Sequence, residues 1–136
     1  GGLKVGMNVA VATPDGYKPD GAVLEFTKGY GDKFALETDP FMAASGADIL
    51  ITDTWTSMGE EAEKEERKKI FKDYQINRQL LAAANAGAMV QHCLPAYRGQ
   101  EITEEVFEEH ADEIFNEAEN RLHAQKAVMV KLMKKD

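Results

Sequence analysis

The apolar run at residues 47–52, "ADILIT", constrains the fold more than any other segment. A nearly continuous apolar run of this length predicts a parallel strand that is covered on both faces. Residues 88–93, "AMVQHC", predict a second buried strand. A polar segment follows each run, "DTWTSM" after the first and "LPAYRG" after the second. Ligands bind beyond the carboxyl ends of parallel strands, so the sequence predicts one crevice between these segments if the two strands are neighbours.

The remaining segments alternate between strand and helix patterns. Residues 1–5 predict the tail of a helix that ends at Gly6, so we expect an upstream part of the domain to be missing. Alternation of strands with helices predicts an α/β fold with a mainly parallel sheet flanked by helices. The other predicted strands are residues 8–13, residues 33–37 near an edge, and a short strand with Ile114 and Phe115; the predicted helices are residues 19–28, 39–45 capped by Asp39, 60–73, 77–84, a short helix capped by Thr103, and 117–135.

The composition excludes several classes of protein. The 136 residues carry a formal net charge of −8, which argues against a nucleic acid or an anionic membrane as the main partner. No apolar run approaches the roughly 20 residues that a membrane span needs. Cys93 is the single cysteine, so no internal disulfide is expected and a reducing compartment fits. We therefore expect a cytoplasmic protein, with the mitochondrial matrix as the alternative for a eukaryotic source.

The segment around Ser57 has two interpretations. Ser57 and Glu60 have the spacing of a capping box, in which two side chains satisfy the first backbone amides of a helix. This explanation leaves Asp53 and Trp55 without a role, although a loop Asp often bonds its own backbone. It also leaves open that Ser57 and the exposed amides bind a carboxylate.

His92 and Cys93 allow three interpretations. They could form a nucleophilic thiol–imidazole pair, but adjacent residues of a strand point to opposite faces. They could join His110 and His123 in a zinc site, but the sequence lacks the usual ligand spacings. The third interpretation is a buried cysteine beside a hydrogen-bonded histidine. Arg121 is predicted to open the final helix, where a cation opposes the helix dipole, so a ligand or an acidic partner is expected there.

At these residues the chain resembles the carboxyl-terminal, ornithine-binding half of the ornithine carbamoyltransferase family. The patterns D-x-x-x-S-M-G, from Asp53, and H-C-L-P, from His92, carry the resemblance, and the first distinguishes ornithine enzymes from aspartate carbamoyltransferases. The matching segments cover nearly the whole chain: "GMNVAVATPDGYKPD", "GADILITDTWTSMGEEAEKEERKKIFKDYQIN", "HCLPAYRGQEITEEVFE" and "FNEAENRLHAQKAV".

The resemblance implies a Rossmann-like second domain of the carbamoyltransferase fold, apparently without its first strand. Residues 1–136 would then be one partial ornithine-binding domain, with the amino-terminal carbamoyl phosphate domain absent. The implied reaction transfers a carbamoyl group from carbamoyl phosphate to the δ-amine of L-ornithine, giving L-citrulline and phosphate. It uses no metal or organic cofactor. The family implies a trimer-based homo-oligomer, with no nucleic acid or membrane partner.

The resemblance also implies a role for each motif residue. Asp53 would pair with the α-ammonium group of ornithine, and Ser57 and Met58 would close over the amino acid. Cys93 and Leu94 would approach the δ-amine and the carbamoyl group. Arg121 would reach carbamoyl phosphate, so Cys93 and Arg121 are the candidate catalytic residues and His92 supports them.

The chain departs from the family pattern in two ways. Tyr97 stands where the family usually has His, in "HCLPAYRG". The S-T-R-T-R phosphate-binding motif does not occur, so we expect this chain alone to be inactive. Two alternatives to the ornithine enzyme remain: a non-catalytic ornithine-binding or assembly module, and a carbamoyltransferase that acts on another amine.

Overall fold

A computed structural model describes residues 1–56 and 63–134 and confirms the α/β fold class. Short strands alternate with helices along these residues. The strands are β1 (Val9–Ala12), β2 (Phe34–Glu37), β3 (Ile49–Thr52) and β4 (Met89–His92). The α-helices are α1 (Gly21–Thr27), α2 (Pro40–Ala44), α3 (Lys64–Phe71), α4 (Arg78–Leu81), α5 (Glu104–Glu109) and α6 (Ala111–Met133), and 3-10 turns occupy Gly2–Val5, Lys28–Lys33 and Lys72–Tyr74.

All of the strand pairing in the described residues is parallel, as predicted. β1 pairs with β2, and β3 pairs with β4, in a register that places Thr52 opposite His92. Parallel neighbours need a crossover connection, which α1 supplies in the first pair and α3 and α4 supply in the second. In the described part of the chain these pairs form two separate two-stranded sheets.

Side-chain caps fix where several helices begin. Asp39 accepts a hydrogen bond from the Phe41 N–H at 2.9 Å, which confirms its predicted role as the cap of α2. The Asp20 carboxylate accepts one from the Ala22 N–H at 2.7 Å, so Asp20 is the cap of α1. The helix that was predicted from residue 19 therefore begins at Gly21, because a cap residue has non-helical backbone angles.

The main core lies between the β3–β4 pair and the helices that follow it. β3 does not have the two covered faces predicted from its apolar run: Leu50 is buried, but Ile51 is 68% exposed. Alternate residues of a strand point to opposite faces, so only one face of β3 packs against this core. The buried core residues are Ala44, Leu50, Ile76, Leu80, Val90, Ile102, Val106, Phe107 and Ile114.

The predicted short strand at Ile114 and Phe115 is wrong, because both residues belong to α6. The Ile114 N–H donates to the His110 carbonyl at 3.0 Å, which is the spacing of a helical turn. Ile114 is fully buried, whereas Phe115 is half exposed and meets the edge of Phe107. Because α6 begins at Ala111, Arg121 lies in its interior and does not open it. The argument from the helix dipole therefore fails for Arg121.

The second half of α6 extends away from the core. Its large apolar side chains are exposed from Leu122 onwards, and Leu132 is 80% exposed. Despite this, none of the helices in the described residues combines the length and the apolar character that crossing a membrane requires.

Candidate functional site

The carboxyl ends of β3 and β4 bring the two polar segments together. Thr52 and His92 are partners in the register, so Asp53 and Cys93 leave the two strands side by side. One potential ligand atom each from Asp53, His92 and Cys93 lies within 4.8 Å of the others. The prediction that the segments meet at one edge is confirmed. This edge is the place where an open parallel sheet binds ligands.

Both ring nitrogens of His92 are already engaged. Nδ1 accepts a hydrogen bond from the Leu94 N–H at 2.9 Å, and Nε2 lies 3.0 Å from Oε1 of Glu101. An acceptor nitrogen carries no hydrogen, so a neutral ring has its hydrogen on Nε2 and donates it to Glu101. The His92 ring therefore does not activate the Cys93 thiol, and the thiol–imidazole pair is not formed.

Leu94 holds an unusual backbone conformation in the turn after β4. Its φ is +55°, in the left-handed region, and the peptide bond that follows, to Pro95, is cis. A residue with a side chain pays about 1–2 kcal/mol in this region. Side chains hold the turn on both sides, because His92 accepts the Leu94 N–H and Glu101 accepts the Tyr97 N–H at 2.6 Å.

Arg121 and Asp53 approach Cys93 from two sides. Nη1 of Arg121 donates to the Cys93 carbonyl at 2.6 Å, so α6 contacts the end of β4 directly. Burial raises the pKa of the Cys93 thiol, a hydrogen bond to Asp53 and its negative charge raise it further, and Arg121 opposes the change. The thiol is therefore neutral at ordinary pH. A neutral thiol suits hydrogen bonding to a substrate better than nucleophilic attack.

The segment after Asp53 is anchored to α3. Asp53 accepts a hydrogen bond from the Thr54 N–H at 2.7 Å, so it does bond its own backbone. The Trp55 ring stacks on Phe71 at a centroid distance of 6.2 Å, and Nη1 of Arg67 donates to the Trp55 carbonyl at 3.3 Å. Trp55 therefore fastens the segment to the helix. The predicted capping box of Ser57 and Glu60 lies outside the described residues.

The zinc set that was one of three interpretations of His92 and Cys93 is not assembled. His110 pairs with Glu113 at 2.9 Å, and His123 pairs with Glu119 at 3.1 Å. Asp53, His92 and Cys93 do lie close together. However, a metal could bind His92 only by displacing either the hydrogen bond that its ring accepts from Leu94 or the one that it donates to Glu101. The donor set therefore does not suit a metal ion.

The comparisons with known proteins agree on one family. Over 137 residues the chain is 56% identical to an ornithine carbamoyltransferase from Gloeobacter violaceus. This alignment covers 98% of this chain and 44% of that protein. Residues 1–132 match the family model described as aspartate/ornithine carbamoyltransferase, Asp/Orn binding domain. The chain belongs to the ornithine carbamoyltransferase family. The resemblance of the sequence motifs is thereby confirmed.

Solved structures of ornithine carbamoyltransferases share the fold of this chain. The anabolic enzyme from Campylobacter jejuni superimposes with a TM-score of 0.86 at 45% identity, over 91% of this chain and 42% of that one. The enzyme from Gloeobacter violaceus gives a TM-score of 0.83 at 50% identity, over 96% and 44% of the two chains. The chain therefore spans less than half the length of the family members it matches.

The structure groups five of the seven residues that the family motifs point to. Asp53, His92, Cys93, Leu94 and Arg121 surround the ends of β3 and β4, and Ser57 and Met58 lie outside the described residues. Sequence reasoning missed Glu101, which is fully buried against His92. Nothing in "GQEIT" distinguishes this Glu from the exposed acidic residues that follow it, because its burial depends on the turn folding back over β4.

Proposed function

We propose that this chain supplies the L-ornithine-binding half of an ornithine carbamoyltransferase. The whole enzyme would transfer a carbamoyl group from carbamoyl phosphate to the δ-amine of ornithine, giving L-citrulline and phosphate. The observation that carries the proposal is the meeting of Asp53, Cys93 and Arg121 at the ends of β3 and β4, in a chain of this family. The family also supports a trimeric, cytoplasmic enzyme that works without a metal or organic cofactor.

In this proposal Asp53 binds the α-ammonium group of ornithine. Its carboxylate is exposed at the mouth of the site, and the hydrogen bond that it accepts from the Thr54 N–H uses only Oδ1. A carboxylate oxygen has more than one acceptor position, so an ammonium group can be added without breaking that bond. Ser57 and Met58 belong to this part of the proposal as the residues that close over the amino acid.

The groups after β4 suit the transfer step. The neutral δ-amine attacks the carbamoyl carbon as a nucleophile and forms a C–N bond. The tetrahedral intermediate then breaks its bond to the phosphate oxygen, and the proton that the amine nitrogen loses passes to the leaving phosphate. The neutral Cys93 thiol and the Leu94 backbone would orient the amine and the carbamoyl group. Arg121 is a fixed cation with several N–H donors, of which Nη1 bonds the Cys93 carbonyl. Its remaining donors can stabilise the negative charge on the leaving phosphate.

A titration of L-ornithine into the chain tests the binding half of the proposal. Asp53→Asn should weaken binding by about 1–3 kcal/mol, the range for a hydrogen bond to a charged group. Asp48→Asn is the matched control, because Asp48 precedes the same strand at its other end and bonds Asn85. Equal affinity of the Asp53 variant and the unchanged chain would remove Asp53 from the site.

A chimera tests the reaction itself. The matching segment of the Gloeobacter violaceus enzyme is replaced by this chain, and citrulline formation is measured with ornithine and, separately, with putrescine. We expect turnover with ornithine, and a large loss of kcat in Cys93→Ala without loss of the fold. Ornithine binding without turnover would favour a non-catalytic module. Faster turnover with putrescine would favour a different amine as the substrate.

A further inference from the structure

The buried pair of Glu101 and His92 lies beside the site without touching its open face. Both side chains are completely buried. Oε1 of Glu101 faces Nε2 of His92 at 3.0 Å and also accepts the Tyr97 N–H at 2.6 Å. The second carboxylate oxygen, Oε2, is buried and has no hydrogen-bond partner among the described residues.

This arrangement is a poor way to stabilise a fold. Taking a carboxyl group out of water is costly, and an apolar side chain of similar volume is often as stable or more stable at such a place. Departures of this kind from good packing are concentrated at functional sites, where the cost is offset elsewhere. The cost of burying Glu101 therefore indicates that this residue has a role in the neighbouring site.

Two hydrogen bonds link Glu101 through His92 to Leu94, the residue that follows Cys93. By accepting from Nε2, Glu101 keeps the hydrogen of the ring on that nitrogen and leaves Nδ1 as an acceptor. Nδ1 in turn accepts the Leu94 N–H, which fixes the left-handed conformation of Leu94. Cys93 lies between His92 and Leu94, so the bond between its two neighbours fixes the direction of its thiol towards Asp53.

We propose that Glu101 is a positioning residue, which acts through the tautomer of His92 to hold Cys93 and Leu94 in their places at the site. It touches neither substrate. The inference rests on the proposed function only in treating Cys93 and Leu94 as groups that contact the substrates.

Cys93 offers a direct readout, because it is the only cysteine of the chain. The rate of its alkylation by iodoacetamide is measured against pH in the full 136-residue chain and in three variants. Glu101→Leu fills the volume but removes the acceptor, and Glu101→Gln keeps an oxygen that can accept both bonds. Ile102→Val loosens the adjacent buried residue and leaves the hydrogen-bonding groups of Glu101 and His92 in place. Circular dichroism confirms that each variant is folded.

Glu101→Leu should speed alkylation at neutral pH severalfold, because a thiol that turns away from Asp53 loses the hydrogen bond and the negative charge that raise its pKa. Its pH profile should also move towards that of an ordinary thiol. Glu101→Gln should restore the original rate and profile, and Ile102→Val should leave both unchanged. The same rate in Glu101→Leu and the unchanged chain would overturn the proposal, as would an equal increase in Ile102→Val.

The ring of His92 gives a second test that leaves Glu101 and His92 unchanged. Nitrogen-15 shifts of the imidazole rings report which nitrogen carries the hydrogen, and His110→Gln and His123→Gln assign the signals. We expect the hydrogen on Nε2 of His92; a hydrogen on Nδ1 would overturn the proposal. Neither test uses ornithine, so a failure to bind ornithine would refute the proposed function and leave these results to be judged separately.

Discussion

Replacing Ile114 by Ala should lower the free energy of unfolding substantially, because Ile114 packs α6 against the core. Ile114 is fully buried in the core, and the residue before it, Glu113, accepts a hydrogen bond from the Val90 N–H of β4 at 2.9 Å. The change deletes three buried carbon atoms, at about 0.8 kcal/mol each, which gives about 2.4 kcal/mol. The cavity left behind raises the expected cost to about 3–4 kcal/mol, against a gain of a few tenths from the better helix propensity of Ala.

A urea titration followed by circular dichroism measures this loss. For a domain whose whole stability is about 5–15 kcal/mol, the midpoint should fall visibly while the slope of the transition stays the same. Leu132→Ala is the matched control on the same helix, because its side chain is 80% exposed and should change stability by no more than about 0.5 kcal/mol. If both variants lose the same amount, the assignment of Ile114 to the core is wrong.

Two further predictions concern the elements that flank the site. The Thr103 hydroxyl accepts the Val106 N–H at 3.3 Å, so Thr103→Ala should cost about 1 kcal/mol and Thr103→Ser much less; equal losses in the two variants, measured by urea unfolding, would argue against the cap. Burial alone would raise the pKa of Glu113, but hydrogen bonds from the Val90 N–H and from His110 lower it below its usual value of 4.5. A carboxyl group whose pKa is lowered by folding stabilises the fold at pH values above its unfolded pKa, and this stabilisation is lost as the pH falls through the folded pKa. Glu113→Gln should therefore lose less stability than the unchanged chain in thermal melts between about pH 5 and 3. Parallel curves for the two proteins would contradict this.

The sequence predicted the order and type of most elements because their signals are local. The caps at Asp39 and Thr103 and the apolar runs of β3 and β4 depend on residues close together in the chain, and the structure confirms them. The meeting of Asp53 with Cys93 also followed, since parallel neighbouring strands end at one edge.

The failures concern properties that only the tertiary structure decides. An adjacent apolar pair such as Ile114 and Phe115 suits either a strand or a helix, and the continuous helical bonding from His110 decides between them. The exposure of Ile51 depends on what covers the second face of β3, which no local pattern reports. The burial of Glu101 arises because the turn after β4 folds back onto His92. In the sequence alone, Glu101 cannot be distinguished from Glu104 and from Glu105, which is exposed.

The shared register of β3 and β4 also bears on how such a site can be redesigned. Thr52 and His92 are partners, so both functional segments start from the same level of the sheet. Deleting one residue within either strand would shift its segment by about 3.3 Å and turn its alternate side chains to the other face. Exchanging whole loops beyond residues 53 and 93 avoids both effects. Loop grafting between family members is therefore a better route to a new ligand specificity at this edge than changes within the strands.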